Sequence, residues 1–189
     1  MDRAPRIDAS RPSPLRLAGF LTTVAGGLLA GVGATLTWVT VGMEVAEGID
    51  SVTKGVDVWD GQVVLACAVV MLIAVLVTRM ASSDGLRRSF AAVVIGAGFV
   101  TLAVATAFVL SATTRFDPVE DDALVSAIAE ASGVPEDQVR ASIDDTLEEL
   151  GAFTTVGPGP YLAIAGGLAG VVGGVLVLAW VSRPPIGSD

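Results

Sequence analysis

Four long apolar runs alternate with polar segments along the chain. They occupy residues 17–41, 59–78, 90–112 and 158–181, and Asp60 is the only charged residue within them. Each run has close to the ~20 residues with which a helix crosses ~30 Å of hydrocarbon. None shows the inside–outside alternation of a barrel strand, and lipid cannot satisfy an open backbone. The pattern therefore predicts an all-α membrane protein built on a four-transmembrane-helix bundle.

The basic residues are concentrated in the shorter polar segments. Eight of the 11 Lys and Arg residues lie in segments 1–16, 79–89 and 182–189. The other three lie in segments 42–58 and 113–157. Because short cytoplasmic flanks retain Lys and Arg, we expect both termini in the cytoplasm of a bacterial cell and the other two segments outside its membrane. A cleaved secretory signal is the alternative for the first run, but that run exceeds the ~7–15 apolar residues of such a signal.

Segment 113–157 is strongly acidic. It contains 11 Asp and Glu residues against two Arg residues, a difference equal to the net charge of −9 of the whole chain. Asp117 and Pro118 suit the start of a helix, Gly133 suits its end, and Pro135 suits the start of a second helix. The segment is therefore predicted to form an extracytoplasmic acidic helical hairpin between the third and fourth spans.

Apolar residues at helical spacing give the second helix of this hairpin an apolar face. Val139, Ile143 and Leu147 recur every four residues and form the predicted contact surface for a protein partner. The turn at Gly133 is similar to that of a helix-turn-helix, but the acidic second helix would repel phosphate, so we expect no nucleic-acid partner. The carboxylates are expected to form a solvated face, and loose binding of a cation or a cationic partner is the alternative.

Glycines at four-residue spacing mark the first and fourth runs. Gly27 and Gly31 lie in the first run, and Gly166, Gly170 and Gly174 lie in the fourth. This spacing lets helix backbones approach closely in lipid. Two interpretations are open, namely packing within the bundle and association with a second copy or another protein.

Four amphipathic aromatic residues lie near the ends of the runs. They are Trp38, Trp59, Tyr161 and Trp180. Because such rings prefer the headgroup layer, all four are predicted to anchor the protein at the membrane interface.

Side chains that enzymes commonly use are scarce. Histidine is absent, Cys67 is the single cysteine, and no nucleophile–base pair or phosphate-binding loop is evident. We therefore predict no catalytic residue, no cofactor and no metal site. The deep polar residues are mainly threonines, which usually bond to their own helix. A component of a transporter or channel, with a pore lined by Thr101 and Thr106, is the alternative function.

Three short motifs lie at the ends of the runs. They are Thr37-Trp38-Val39, Gly55-Val56-Asp57 with Asp60-Gly61, and Gly157-Pro158-Gly159-Pro160-Tyr161-Leu162. In these motifs the chain resembles small four-span membrane proteins of actinobacteria, including the tryptophan-operon-associated group. The resemblance covers the membrane core and not the helical hairpin, and it implies no activity, cofactor or site residue.

A plain bundle that carries one elaborated loop indicates a role in assembly. We expect a non-enzymatic membrane scaffold or an accessory subunit of a cell-envelope complex, with the outer helical hairpin as a partner-binding or sensing surface. Its expected partners are the lipid bilayer and either another protein or a second copy, contacted through the glycine faces or the outer hairpin.

Overall fold

The computed structural model describes residues 14–43, 50–115, 122–139 and 152–182. Four helices in these residues are long and apolar enough to cross a membrane. The predicted helical membrane class with four spans is therefore confirmed. The helices are α1 Pro14–Thr35, α2 Trp59–Met80, α3 Asp84–Arg115, α4 Asp122–Ser132 and α5 Pro158–Val181.

A three-stranded antiparallel sheet joins one end of the bundle. Its strands are β1 Thr37–Met43, β2 Asp50–Lys54 and β3 Ala152–Val156, in the order β2-β1-β3. β1 follows α1 directly, a 3₁₀ turn at Gly55–Asp57 connects β2 to α2, and β3 leads into α5. We call this end of the bundle the sheet end. The opposite end, where residues 81–83 connect α2 to α3, is the turn end.

The first helix ends earlier than predicted. α1 stops at Thr35 and β1 begins at Thr37, so the predicted boundaries of the first span, 17–41, and of the following loop, 42–58, are corrected. Four of the five residues 37–41 are β-branched, and such side chains favour a pleated strand. Hydrophobicity alone does not distinguish a strand from the end of a buried helix.

The bundle packs around α5. This helix contacts α1 and α3 extensively, and α2 contacts both α1 and α3. The short connection 81–83 makes α2 and α3 antiparallel neighbours. Met71, Phe108 and Ala163 are among the fully buried residues of the core between them.

α4 is the first helix of the predicted hairpin. It ends at Ser132, and Gly133 follows with a φ of 69°, a left-handed conformation that favours glycine. Residues 136–139 are helical again, and the remainder of the predicted second helix lies outside the described residues. α4 contacts β2, which places it at the sheet end.

Candidate functional site

Trp38 lies at the centre of the sheet end. It occupies a bulge in β1, where the pairing with β2 shifts between Thr37 and Val39, and a bulge redirects a side chain. The indole is fully buried, with 0% of the residue exposed. Its Nε1 donates a hydrogen bond of 2.9 Å to the carbonyl oxygen of Gly33. Because carbonyls in the last turn of a helix lack a partner within the helix, this bond caps α1.

Contacts with three other segments hold the indole in place. Phe108 of α3 meets it edge to face, with ring centroids 4.6 Å apart and an interplanar angle of 69°. Gly159 in the first turn of α5 lies so close that a Cβ there would be 2.5 Å from the indole Cδ1. Gly55, before α2, likewise has no room for a Cβ against the ring. We call Gly33, Trp38, Gly55, Phe108 and Gly159 the Trp38 cluster.

The Trp38 cluster brings together the three motifs at the helix ends. The backbone N–H of Gly157 donates to the carbonyl oxygen of Trp38 over 2.9 Å, and that of Gly55 donates to the carbonyl oxygen of Leu36 over 3.1 Å. Gly61 of α2 packs against the backbone of Gly55 with no space for a Cβ. The glycines of the second and third motifs therefore allow close approach to the first motif. Their position in the sequence marks them, but their convergence is visible only in the structure.

Trp38 is not an interface anchor, so this prediction is wrong. A fully covered indole has no surface left to contact lipid headgroups. At the same end, Trp59 is 76% exposed and Tyr161 is also exposed. Trp180 lies half-buried at the turn end, with two arginine guanidinium groups over its ring. Three of the four aromatic residues thus retain surface that an interface role requires.

The five glycines predicted to pack helices all lie next to other helices of the same chain. On α5, Gly166 faces α1, Gly170 faces Met71 of α2 and Gly174 faces α3. On α1, Gly27 and Gly31 face α2. Glycines outside the predicted spacing also allow close approach of α5 to α1 or α3, and these are Gly19, Gly26, Gly33, Gly98, Gly167 and Gly173.

The structure describes one of the three residues of the predicted partner surface on the hairpin, and that residue is buried. Val139 is only 6% exposed, so its side chain is already covered within the chain and its assignment as a partner contact is corrected. Ile143 and Leu147 lie outside the described residues. All residues from 131 to 138 are exposed, and Val134 is the large apolar side chain among them, at 38% exposed. We call residues 131–138 the exposed tip.

The buried polar side chains are satisfied by their own helices. Thr23 donates to the carbonyl oxygen of Gly19 and Thr101 donates to that of Ala97, each over 2.9 Å. In the described part of the chain, no buried side-chain nitrogen or oxygen lacks a hydrogen-bond partner. The same residues contain no group of three or more metal-ligating side chains. This part of the bundle therefore offers no preformed polar centre at depth.

An ion pair connects α2 and α3 at the sheet end. The Nη1 of Arg115 lies 2.6 Å from the Oδ2 of Asp60. Both side chains are partly exposed, so the pair contributes roughly 0–1 kcal/mol to stability. The ion pair with Arg115 gives a charged partner to Asp60, the only charged residue within the predicted runs.

Comparison with known proteins identifies the family. No curated protein sequence matches the chain. The model of the tryptophan-associated transmembrane protein family matches residues 20–188, which include the Trp38 cluster and all three motifs. The match confirms the resemblance seen in the sequence, and the chain belongs to the tryptophan-associated transmembrane protein family.

Proposed function

We propose that this protein is a non-enzymatic scaffold or accessory subunit of a complex in the bacterial cell envelope, with the exposed tip as its partner-facing surface. The observation that carries the proposal is a contrast in burial within residues 122–139 of the predicted hairpin. Val125 and Val139 are buried, whereas every residue of the exposed tip is open to solvent. Val125 and Val139 therefore pack within the chain, whereas Val134 and the other residues of the tip are available for contact.

The attachment of the segment to the membrane helices supports the same proposal. α4 contacts β2, β2 pairs with β1, and β1 contains Trp38. Because Trp38 is fixed to α1, α3 and α5, these contacts link the exposed tip to the bundle through ordered structure. A presented surface held in this way loses less entropy on binding than a free loop would.

The chemistry of the tip indicates the kind of partner. Glu136 and Asp137 are exposed within the tip that contains Val134, and Glu130, just before the tip, is also exposed. A basic protein surface with a small apolar contact is complementary to this arrangement, because opposite potentials accelerate encounter and fix orientation. The proposed partner is therefore a basic segment of another envelope protein.

Site-specific photo-crosslinking tests this proposal. A photoreactive phenylalanine at position 134, in cells with the full complex, is expected to give one discrete heavier adduct. The same probe at Leu86, an exposed residue at the turn end, serves as the control and is expected to give none. Reversal of charge by Glu136→Lys with Asp137→Lys is expected to reduce the adduct at least tenfold, since like-charge contacts cost several kcal/mol and each ~1.4 kcal/mol is a tenfold change in affinity.

The neutral pair Glu136→Gln with Asp137→Asn separates charge from loss of fold, and we expect it to retain part of the adduct. The absence of a protein adduct at position 134 would refute the proposal. An adduct of equal yield in the charge-reversed variant would also refute it.

A transporter or channel component is the alternative drawn from the sequence. Thr101 is buried with its hydroxyl bonded to its own helix, and Trp38 fills the bundle at the sheet end. Neither feature favours a pore within a single chain. These observations support the scaffold in preference to the alternative.

A further inference from the structure

The turn end of the bundle contains a cavity that the scaffold role does not use. Its volume is about 350 Å³, and it lies between α1, α2, α3 and α5. Ligand pockets in proteins span roughly 300–1,000 Å³. The Trp38 cluster occupies the opposite end, so the two regions are separate.

The wall of the cavity changes from polar to apolar with depth. Arg16, Arg79 and Trp180 lie within a turn of the ends of α1, α2 and α5, respectively. Thr23 lines the cavity seven residues beyond Arg16, a rise of roughly 10 Å along the helix. Its hydroxyl is bonded to the backbone, and the buried Val94 lies beside the same space. The cavity therefore matches an amphiphile with a polar head and an apolar tail.

The entrance carries positive charge. The guanidinium carbon of Arg79 lies 5.6 Å from the ring centroid of Phe20, and that of Arg16 lies 5.1 Å from the centroid of Trp180. The guanidinium carbon of Arg87 lies 5.4 Å from the ring centroid of Trp180, and Arg87 forms an ion pair with Asp84. Among the described residues, no carboxylate forms an ion pair with Arg79. A phosphate group is the natural complement to the guanidinium group of Arg79.

The opening of the cavity indicates where the ligand comes from. Leu17 and Leu21 line the cavity and are also exposed on α1, a membrane-spanning helix. In a bilayer, exposed leucines on such a helix face lipid. Access from the lipid phase therefore favours a membrane lipid over a water-soluble anion.

We propose that the turn-end cavity binds an anionic phospholipid, with its phosphate between Arg16 and Arg79 and part of one acyl chain along Phe20, Thr23 and Val94. Phosphate binding uses charge-assisted hydrogen bonds, and the acyl chain fills the apolar part of the cavity through van der Waals contacts. The proposal does not depend on the scaffold role.

Native mass spectrometry of the full chain with added lipid tests this binding. We expect phosphatidylglycerol to remain bound at least tenfold more tightly than phosphatidylcholine of the same chain length. Arg79→Gln is expected to remove most of this preference, because a hydrogen bond to a charged group corresponds to roughly a tenfold change in affinity. Arg79→Lys keeps the charge and should retain part of the preference.

Arg88 provides the matched control, because it is an exposed arginine at the turn end that does not line the cavity. Arg88→Gln is expected to leave the preference unchanged. Arg16→Gln supplies a second test if Arg79→Gln does not elute as folded protein. Equal retention of the two lipids by the unmodified protein would overturn the proposal. A loss of preference in Arg88→Gln equal to that in Arg79→Gln would also overturn it. Displacement of the lipid by millimolar inorganic phosphate would overturn the assignment to a lipid.

Discussion

Trp38 connects parts of the chain that are distant in sequence. Its indole N–H caps α1, its ring meets Phe108 of α3, and its carbonyl oxygen accepts a hydrogen bond from the N–H of Gly157 before α5. Burial of an aromatic ring and satisfaction of a helix-end carbonyl are thus combined in one residue. At the residue scale, we therefore expect Trp38 to contribute strongly to the stability of the sheet end.

Substitution of the two tryptophans at the sheet end tests this dependence. Trp38→Ala is expected to lower the free energy of unfolding in detergent by roughly 3–5 kcal/mol, the usual cost of truncating a buried aromatic residue. Trp59→Ala, at a position 76% exposed, is expected to change it by less than about 0.5 kcal/mol. Near-ultraviolet circular dichroism during denaturant titration measures both. Equal losses in the two variants would contradict the assigned role of Trp38.

The conservative variant Trp38→Phe resolves the contribution of the hydrogen bond. It keeps an aromatic ring but removes the donor to the Gly33 carbonyl oxygen, which also accepts a longer bond of 3.3 Å from the N–H of Leu36. We expect a loss between those of Trp38→Ala and Trp59→Ala, because the carbonyl retains one partner.

The sequence indicated which residue types lie at the span ends but not which way each side chain points. Trp38 and Trp59 occur at similar boundaries, yet one is buried and the other exposed. The difference arises from the bulge in β1 and from Gly55 and Gly159, whose missing side chains leave room for the ring. These contacts are distant in sequence and have no local periodicity that could reveal them.

At the scale of elements, glycine allows the close packing of α1 and α5. Gly166 and Gly26 bring the two backbones together, and a Cβ on Gly166 would lie 2.5 Å from the backbone nitrogen of Ala30 and 2.7 Å from the carbonyl oxygen of Gly26. Backbone atoms cannot move aside as a flexible side chain can. Only a shift of the whole helix would relieve such a contact.

Two matched alanine substitutions test the helix contact. Gly166→Ala is expected to destabilise the bundle by roughly 1–3 kcal/mol, as overpacking of a core usually does. Gly96→Ala, on α3, meets no atom within 4 Å and is expected to be neutral or slightly stabilising because alanine favours a helix. Thermal unfolding in one detergent compares them. Equal melting temperatures for the two variants would count against backbone packing at Gly166.

The elements were predictable to different degrees. Uninterrupted apolar runs identify the four membrane-spanning helices, because hydrocarbon thickness imposes their length. The run 17–41 includes the strand that begins at Thr37, because residues 37–41 are uncharged like the helix before them. β3 lies within the segment 113–157 that is predicted to be a helical hairpin, because its pairing with β1 depends on residues more than a hundred positions away.

At the scale of the whole molecule, the two ends of the bundle differ in chemistry. The sheet end contains the buried Trp38 cluster and leads to the acidic exposed tip, whereas the turn end contains arginines, Trp180 and an apolar cavity. The proposed functions follow this division, with a protein partner at the sheet end and an anionic lipid at the turn end. The first of these depends on the sidedness proposed from the distribution of Lys and Arg, whereas the second depends only on the cavity and its arginines.

Cysteine labelling in intact cells tests this sidedness most directly. In a Cys67→Ala background, Ser132→Cys reports the exposed tip and Ser83→Cys reports the turn end, and both serines are exposed. We expect a membrane-impermeant maleimide to label Ser132→Cys in intact cells, and to label Ser83→Cys only after the membrane is permeabilised. The reverse pattern would contradict the proposed orientation and, with it, the presentation of the exposed tip to an envelope partner.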